Sequence, residues 1–408
     1  TDSYTLNVSD VAAADAATVS EITGLVSMSV SDTSANLSTY LDDLQELGAT
    51  VSQITTSNAS TALQITAEQW ARDAATLGKI DTYSVSVSGV ALQDLASVQA
   101  DAHVQHIAVA DTSANVSRYF DDLVALGDRL DSVTQVDTVD ALTISATQLA
   151  QGATVLNKLS NAYTLAVSDV TAANAAAVGA QAHVTSLMVA DSSANLALNV
   201  NDLQDLGDTL SAITQTGTPQ EISVSATDWT ATSSIWGKFT NSVTVAVSDV
   251  AAQDAVATAN QDYVSHVSVA DTHANVAAHW DELVSLSNPL TAVTLSGAEA
   301  AIGITQSQMA AGSALFDKLS GTYTLALSEV NADDAATLAS DARVASLDVA
   351  DTTTNVANFM DQLNGLDKLT HIALTDSSTL ELTTAQIAAD TSAIAKLDSA
   401  FSVVEITA

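Results

Sequence analysis

Strand-like and helix-like hydrophobic spacings alternate along the chain, as residues 27–47 illustrate. Residues 27–30 (Ser-Met-Ser-Val) alternate polar and apolar side chains, which predicts a strand with one buried face. The apolar residues from Leu37 to Leu47 then follow helical spacing, with Asp42 and Asp43 on the opposite side. This stretch therefore predicts a strand followed by an amphipathic helix.

The same alternation continues through residue 104. A short strand around Val51 and a variable turn precede a second predicted helix, which contains Trp70. A third strand at residues 83–87 leads into an Ala-rich helix at about 92–100, and the pattern begins again at Val104. Strands that alternate with helices of this length predict right-handed β-α-β crossovers and a parallel sheet.

Two sets of residues recur at a nearly constant interval. An Asp at the end of the long strand is followed four positions later by Asn in every copy: Asp32 and Asn36, Asp111 and Asn115, Asp191 and Asn195, Asp271 and Asn275, Asp351 and Asn355. The Asn positions step by 79, 80, 80 and 80 residues. A lysine recurs independently at Lys79, Lys158, Lys238, Lys318 and Lys396. The chain is therefore internally repetitive, with a period of about 80 residues.

The repeat predicts an α/β fold of solenoid type. We expect one continuous right-handed α/β solenoid over residues 1–408, similar to leucine-rich repeats, with a parallel β-sheet on one face and helices on the other. Three crossovers in each 80-residue period give coils of about 26 residues. The predicted repeats are 1–79, 80–159, 160–239, 240–319 and 320–398, followed by a terminal strand at 399–408.

The repeat also predicts which side chains are buried. One inward helix position is Leu in every copy: Leu44, Leu123, Leu203, Leu283 and Leu363. The inward strand positions are Leu6 and Val8, Val85 and Val87, Leu165 and Val167, Val245 and Val247, and Leu325 and Leu327. Their outward neighbours are mostly Ser, Thr and Ala, so the outer sheet face is expected to be flat and uncovered by helices.

The amino-acid composition argues against some classes of binding partner. The 408 residues include 10 Lys and Arg against 48 Asp and Glu, giving a net charge of −38. Nucleic acid is an improbable partner for such a chain, since phosphates are bound through Lys and Arg. No apolar run has the length of a membrane span, so membrane insertion is not expected. There is no cysteine, which excludes disulfides and thiolate sites within this sequence.

The recurring Asp and Asn are interpreted as a structural helix cap and turn. An oxygen of Asp32 or Thr33 is placed to accept hydrogen bonds from the first helical turn, and Asn36 is placed to satisfy backbone groups. The alternative is a set of calcium ligands, but calcium takes six or more oxygens from a dense loop. We therefore expect no cofactor and no metal ligand, with calcium retained as the alternative.

No catalytic residue is predicted, and an enzyme is not expected. Phosphate loops, Gly-x-Ser-x-Gly elbows and His-Glu-x-x-His motifs are absent from the sequence. Histidines such as His103 and His106 are interpreted as surface and rim residues rather than metal ligands. The tryptophans are assigned to helix packing, with sugar stacking as the alternative: Trp70, Trp229, Trp236 and Trp280. The recurring lysines are expected at helix C-termini, complementing the dipole, or paired with an Asp of a neighbouring coil.

Residues 109–116 (Val-Ala-Asp-Thr-Ser-Ala-Asn-Val) and the following Asp-Asp-Leu-x-x-Leu resemble repeat regions of very large secreted bacterial surface proteins. These are similar to type I secreted adhesins and filament-forming cell-surface proteins. The resemblance implies an extracellular structural element, a surface filament subunit or an adhesin stalk. We expect self-association end to end, or continuation in a longer chain. The alternative is a binding module for glycan, mineral or ice that uses the flat Ser/Thr/Ala sheet or the variable turns.

Overall fold

The computed structural model describes residues 4–138 and 140–406. Residues 1–3 of the first predicted repeat, Val139 in the variable turn 137–140, and residues 407–408 of the predicted terminal strand lie outside the described residues. The described residues form a mixed α/β fold with parallel sheets, and none of these sheets closes into a barrel. The predicted α/β class is confirmed at this level.

The strands belong to six sheets, in which every recorded pairing is parallel. The first sheet contains β1 (Leu6–Val11), β2 (Leu25–Asp32) and β3 (Val51–Thr56). The second contains β4 (Leu63–Thr66), β5 (Val85–Val90), β6 (Val104–Asp111) and β7 (Leu130–Gln135). The third contains β8 (Leu142–Ser145), β9 (Leu165–Val170), β10 (Val184–Asp191) and β11 (Leu210–Gln215). Strands that follow one another along the chain are neighbours in each sheet.

The second half of the chain repeats this arrangement. Its strands are β12 (Ile222–Ser225), β13 (Val245–Val250), β14 (Val264–Thr272), β15 (Leu290–Ser296), β16 (Ala301–Thr305), β17 (Leu319–Ser320), β18 (Thr324–Val330), β19 (Val344–Asp351), β20 (Leu369–Leu374), β21 (Thr379–Thr383) and β22 (Ser402–Ile406). The fourth sheet has the order β12-β13-β14-β15-β17, the fifth β16-β18-β19-β20, and the sixth β21-β22. Paired residues in the described chain are 19 to 26 positions apart.

Short helices connect the strands. In chain order they are α1 (Ala16–Ser20), α2 (Ser34–Thr39), α3 (Leu41–Glu46), α4 (Ala67–Arg72), α5 (Ala74–Leu77), α6 (Leu95–Ala100), α7 (Ser113–Arg118), α8 (Phe120–Leu126), α9 (Ala146–Gln151), α10 (Ala153–Asn157), α11 (Ala175–Gly179) and α12 (Ser193–Leu198). They continue as α13 (Val200–Asp205), α14 (Ala226–Ala231), α15 (Ala255–Ala259), α16 (His273–Ala278), α17 (Trp280–Leu286), α18 (Gln306–Ala311), α19 (Ser313–Phe316), α20 (Ala335–Ser340), α21 (Thr353–Asn358), α22 (Met360–Asn364), α23 (Thr384–Ala389) and α24 (Thr391–Ile394).

Two compact units account for most contacts within the described chain. One lies within Thr1–Asp191 and Asp205–Thr214 and contains β1–β10 and nearly all of β11. The other lies within Ser192–Gln204 and Gln215–Ala408 and contains β12–β22. In each unit the helices pack against the strands through their apolar side chains.

The predicted inward leucines are buried. Leu44, Leu123 and Leu363 have 0% exposure, and Leu203 and Leu283 have 1%, which confirms the predicted helix face. The inward strand positions from Val85 to Leu327 are also buried, whereas Leu6 and Val8 on β1 remain half-exposed. Hydrophobic burial of this kind is the main favourable contribution to folding.

The helix predicted at residues 37–47 is interrupted. It divides into α2 and α3 at Tyr40, which has φ −103° and ψ 15°. Both Leu37 and Leu41, one on each side of the break, have 0% exposure. A similar break separates α7 from α8 at Tyr119. Hydrophobic spacing does not reveal such a break, because the apolar residues keep helical intervals through it.

A β-bulge follows the inward pair of residues on four of the central strands. In β5 the register shifts between Val87 and Val90, and Gly89 there has φ 70°. The corresponding Asp169 in β9 has φ 55°, in a region that non-glycine residues seldom adopt. The bulge turns the chain from the strand into a short 3-10 turn, for example Leu92–Asp94.

Candidate functional site

Each of the five recurring aspartates connects two consecutive strand–helix segments, which we call coils. Their Oδ2 atoms accept a hydrogen bond from a backbone N–H 19 residues earlier, at 2.7–3.0 Å. The five donors are the first residues of short turns after the preceding strand: Ala13, Leu92, Ala172, Ala252 and Ala332. These N–H groups are buried and have no partner within their own turn. We call Asp32, Asp111, Asp191, Asp271 and Asp351 the latch aspartates.

In Asp32, Asp111, Asp271 and Asp351 the other carboxylate oxygen accepts hydrogen bonds within its own coil. In the second repeat, Asp111 Oδ1 accepts from the backbone N–H of Thr112 and from Nδ2 of Asn115, both at 2.7 Å. The residue that caps the helix is Thr112, whose side chain accepts from the backbone N–H of Asn115. The structure therefore places the Asn side chain against the Asp carboxylate, where it holds the latch rather than a backbone group of another turn.

Burial and hydrogen bonding act in opposite directions on the pKa of the latch aspartates. For Asp111, burial raises the pKa, but hydrogen bonds from Asn115, Leu92 and Thr112 outweigh it and hold the pKa below its ordinary value. The pKa values of Asp32, Asp271 and Asp351 are lowered by the same kind of contact. These carboxylates are consequently ionised at neutral pH and committed to backbone and amide donors.

Three of the recurring lysines donate hydrogen bonds to carbonyls of the preceding coil. Lys79 Nζ donates to the carbonyl of Gly48, 31 residues earlier, at 2.5 Å. Lys318 Nζ donates to Leu290 O at 2.6 Å and to Ser287 O. Lys396 Nζ donates to Leu366 O at 3.2 Å. Gly48, Ser287 and Leu366 each follow the last short helix of their coil, where the helix dipole favours a cation.

Exposed groups of hydroxyl, carboxylate and imidazole recur beside the strands. In one of them, Asp131 contacts both Ser86 Oγ, at 3.5 Å, and His106 Nδ1, at 3.1 Å. Glu221 is similarly shared by Ser265 and His266, whose Nδ1 lies 2.6 Å away. In a nucleophilic triad the imidazole stands between hydroxyl and carboxylate. Here the carboxylate stands in the middle, so the histidine does not activate the hydroxyl.

One histidine departs from the predicted surface placement. His273 has 4% exposure, and neither ring nitrogen has a hydrogen-bond partner. The equivalent Ser113 uses its hydroxyl to contact Asp137 and Gln135. The interpretation of the histidines as surface and rim residues is therefore wrong for His273, which occupies a position where the other repeats carry Ser or Thr.

An aromatic depression lies beside α14 and has a volume of about 360 Å³. Trp229 and Trp236 line it, with ring centroids 5.1 Å apart, and Tyr263 adds a ring with 45% exposure. Tyr263 has φ 71°, which is uncommon for a bulky residue. Gln261 accepts a hydrogen bond from Trp229 Nε1 at 2.7 Å.

The four tryptophans differ in exposure. Trp229, Trp236 and Trp280 are buried, with 9%, 3% and 0% exposure. Trp70 is only half-buried, and its Nε1 donates to Asp101 at 3.0 Å, so its assignment to the helix core was only partly right.

In the part of the chain that the structure describes, no three His, Cys, Asp or Glu side chains are grouped so as to hold a metal ion. None of the described helices combines the length and the hydrophobicity needed to span a bilayer. Comparison with known proteins gave no match to a protein-family model, a curated protein or a solved structure.

Proposed function

We propose that this chain is a structural repeat element of an extracellular surface protein, serving as a filament subunit or an adhesin stalk. The observation that carries the proposal is the repetition of the latch: the same Asp-to-backbone bond joins consecutive coils in all five copies. A catalytic site is normally one group of residues in a protein. A contact repeated about every 80 residues instead joins equivalent parts of a repetitive structure. In this proposal the coils stack as one right-handed α/β solenoid.

We propose that another copy of the same repeat pairs with the edge strands and continues the stack. On β1, Leu6 and Val8 are half-exposed, while the equivalent Val85 and Val87 have 0% exposure because a further strand covers them. A strand of the same phase would bury these side chains and pair with the open backbone. It can come from the same polypeptide or from a second copy.

The edge strand β22 carries a residue that opposes further strand pairing. Glu405 on β22 pairs with Leu382 and takes the phase that Leu327 occupies in the preceding repeat. It accepts a hydrogen bond from Thr384 Oγ1 at 2.5 Å. An inward-phase charge on an edge strand disfavours further pairing. Glu405→Leu is therefore expected to strengthen association through this edge.

A proline substitution tests association through β1. Leu6 N–H donates to Gly24 O, so the next N–H along the strand, that of Asn7, points to the open edge. Asn7→Pro removes that donor and is expected to reduce association, measured by sedimentation velocity and electron microscopy. The matched control is Asn7→Ala, which also loses the side-chain contact to Ser27 but keeps the N–H. Equal association of both variants and the parent chain at all concentrations would refute pairing through this edge.

Carbohydrate binding is the second candidate function, favoured by the aromatic depression. Tyr263 offers an exposed ring beside the buried Trp229 and Trp236, and an aromatic ring with a nearby amide is typical of sugar sites. Titration with neutral saccharides is expected to change the fluorescence of Trp229 and Trp236, and Tyr263→Ala to abolish the change. Tyr163→Ala is the control, since that ring is stacked on His183 at 4.3 Å. An unchanged signal at millimolar saccharide would exclude this candidate.

A further inference from the structure

Each repeat contains two recurring positions on consecutive coils. The first position begins the second short helix after the long strand, and the second position directly follows the first short helix of the next coil. The pairs are Leu41 and Asp73, Phe120 and Gly152, Val200 and Thr232, Trp280 and Gly312, and Met360 and Asp390. A Cβ added to Gly152 would lie 2.3 Å from Phe120 Cε1, and one added to Gly312 would lie 2.6 Å from Trp280 Cζ2. Where the first position is a large ring, the second is therefore glycine.

In the first repeat the position paired with Leu41 is a buried acid. Asp73 has 0% exposure and lies beside Asp42. Arg72 pairs with both carboxylates: its Nε donates to Asp73 Oδ1 at 3.0 Å, and its guanidinium pairs with Asp42. Asp73 Oδ2 still has no hydrogen-bond partner, and burial holds the pKa of Asp73 above its ordinary value. The chain thus supplies its own cation to this acid pair. Burying a charge without such a partner is costly.

The fifth repeat has the same acid pair without the cation. Asp390 has 2% exposure, its Oδ2 has no hydrogen-bond partner, and its neighbour is Asp361. Ala389 occupies the position of Arg72. The helices packed against α24 are α22 and α23, and Asp361 is the charged residue on them.

Charged groups on the adjoining segments are engaged elsewhere. Lys396 Nζ donates to Leu366 O at 3.2 Å, and Asp398 Oδ1 accepts from the Ala400 N–H at 3.1 Å. His371 on β20 contacts Asp348 through Nδ1 at 3.3 Å. None of these contacts provides a positive charge to Asp390.

We propose that Asp390 and Asp361 together bind one proton, in a carboxylate pair that lacks the arginine of the first repeat. The proton comes from solvent, forms the O–H bond on Asp390 and is hydrogen-bonded to the Asp361 carboxylate. Such O–H···O⁻ bonds are short and strong. A metal ion suits the pair less well, because calcium takes six or more oxygens and Asp390 Oδ2 is enclosed. This inference is independent of the proposed structural role.

The direction of the pKa agrees with this geometry. Burial, followed by the neighbouring Asp361, raises the pKa of Asp390 above its ordinary value of 3.8. Ionisation of Asp390 therefore opposes folding: the fifth repeat is most stable below pH 3.8 and loses stability as the pH rises through the raised pKa. The latch aspartates have lowered pKa values, so they release their contacts only at still lower pH. Acidification from neutral towards pH 3.8 thus stabilises the fifth repeat before it weakens the latches.

Hydrogen exchange of α22–α24 between pH 7 and pH 4.5, corrected for intrinsic exchange rates, tests the proposal in the intact chain. The opening equilibrium constant of wild type is expected to fall on acidification, by up to about tenfold per pH unit within the titration range. Asp390→Asn, which mimics the protonated acid, is expected to be more protected at pH 7 and to lose the pH response. Asp281→Asn is the matched control, because Asp281 holds the position of Asp361 but its coil carries Gly312 in place of an acid.

The second variant introduces the arginine of the first repeat at the equivalent position of the fifth repeat. Ala389→Arg is expected to increase protection at pH 7 and to weaken the pH response, because a guanidinium beside the two carboxylates stabilises their ionised forms. The proposal is overturned if wild-type opening does not change with pH, or if Asp390→Asn lowers protection at pH 7. It is also overturned if calcium chloride at pH 7 gives the same protection as acid, since the bound cation would then be the metal.

Discussion

Removal of one latch aspartate should loosen two coils at once. Asp111 has 8% exposure and accepts three hydrogen bonds at 2.7 Å, from Leu92, Thr112 and Asn115. Hydrogen bonds to an ionised group contribute about 1.5–3 kcal/mol each, and a buried donor left without a partner costs about 1–3 kcal/mol. These contributions overlap, so we expect Asp111→Ala to lower the local free energy of unfolding by about 3–5 kcal/mol.

Two variants separate the contributions of this latch. Asn115→Ala removes one donor to the ionised carboxylate and leaves the Leu92 bond intact, so its expected cost is about 1.5–3 kcal/mol. Asp111→Asn keeps an oxygen that can accept from the Leu92 N–H, but its NH2 group then faces the donors on Thr112 and Asn115. It should therefore lower the free energy of unfolding more than an Asp→Asn substitution on the surface does. Because the Asp111 pKa is lowered, the latch stabilises the fold above the ordinary value of 3.8 and is lost as the pH falls through the folded pKa.

Hydrogen exchange resolved to β5, β6 and the turn Leu92–Asp94 is the appropriate assay, since a long repeat protein does not unfold in two states. The Asp111→Ala penalty should appear in both coils and shrink in acid. A penalty below about 0.5 kcal/mol, the range of an ordinary surface substitution, would refute the latch. So would a penalty confined to the coil that contains Asp111.

Three further outcomes are expected. Leu123→Ala, at a position with 0% exposure, should cost about 2–5 kcal/mol in denaturant melts, whereas Leu198→Ala, at 83% exposure, should change stability by less than about 0.5 kcal/mol. Gly152→Ala should cost about 1–3 kcal/mol through overlap with Phe120, and Phe120→Leu should recover part of that loss; strictly additive effects would contradict the packing argument. Calcium and magnesium chloride at equal ionic strength should raise the melting temperature equally, because the acidic surface responds to screening; a saturable rise specific to calcium would contradict this.

The repeat, the parallel α/β class and the buried leucines could be predicted because five copies carry the same signal. Leu44 and its four equivalents share a helical phase with apolar neighbours, so periodicity alone marks them as inward. The breaks at Tyr40 and Tyr119 could not be predicted, because a change in ψ leaves the hydrophobic spacing unaltered. The helical spacing of Trp70 predicts a core position, but its indole N–H donates a hydrogen bond to Asp101 at the surface.

The latch was only partly visible in the sequence. The Asp and Asn of each copy could be placed at a strand-to-helix turn, but the partner that joins Asp32 to the preceding coil is a backbone N–H at Ala13, and backbone groups have no sequence signature. The buried His273 was missed for a different reason. Its equivalents are Ser or Thr, and alignment of the copies would have marked it as the exceptional residue at a buried position.

The short interval between paired strands has a consequence for how the chain forms. Paired residues in the described sheets are 19 to 26 positions apart, so closing each new pair requires ordering only one coil. Loop-closure entropy and contact order set folding rates, and both stay constant when another 80-residue copy is added. A gene encoding this protein can therefore gain or lose whole copies by recombination without slowing the folding of those that remain.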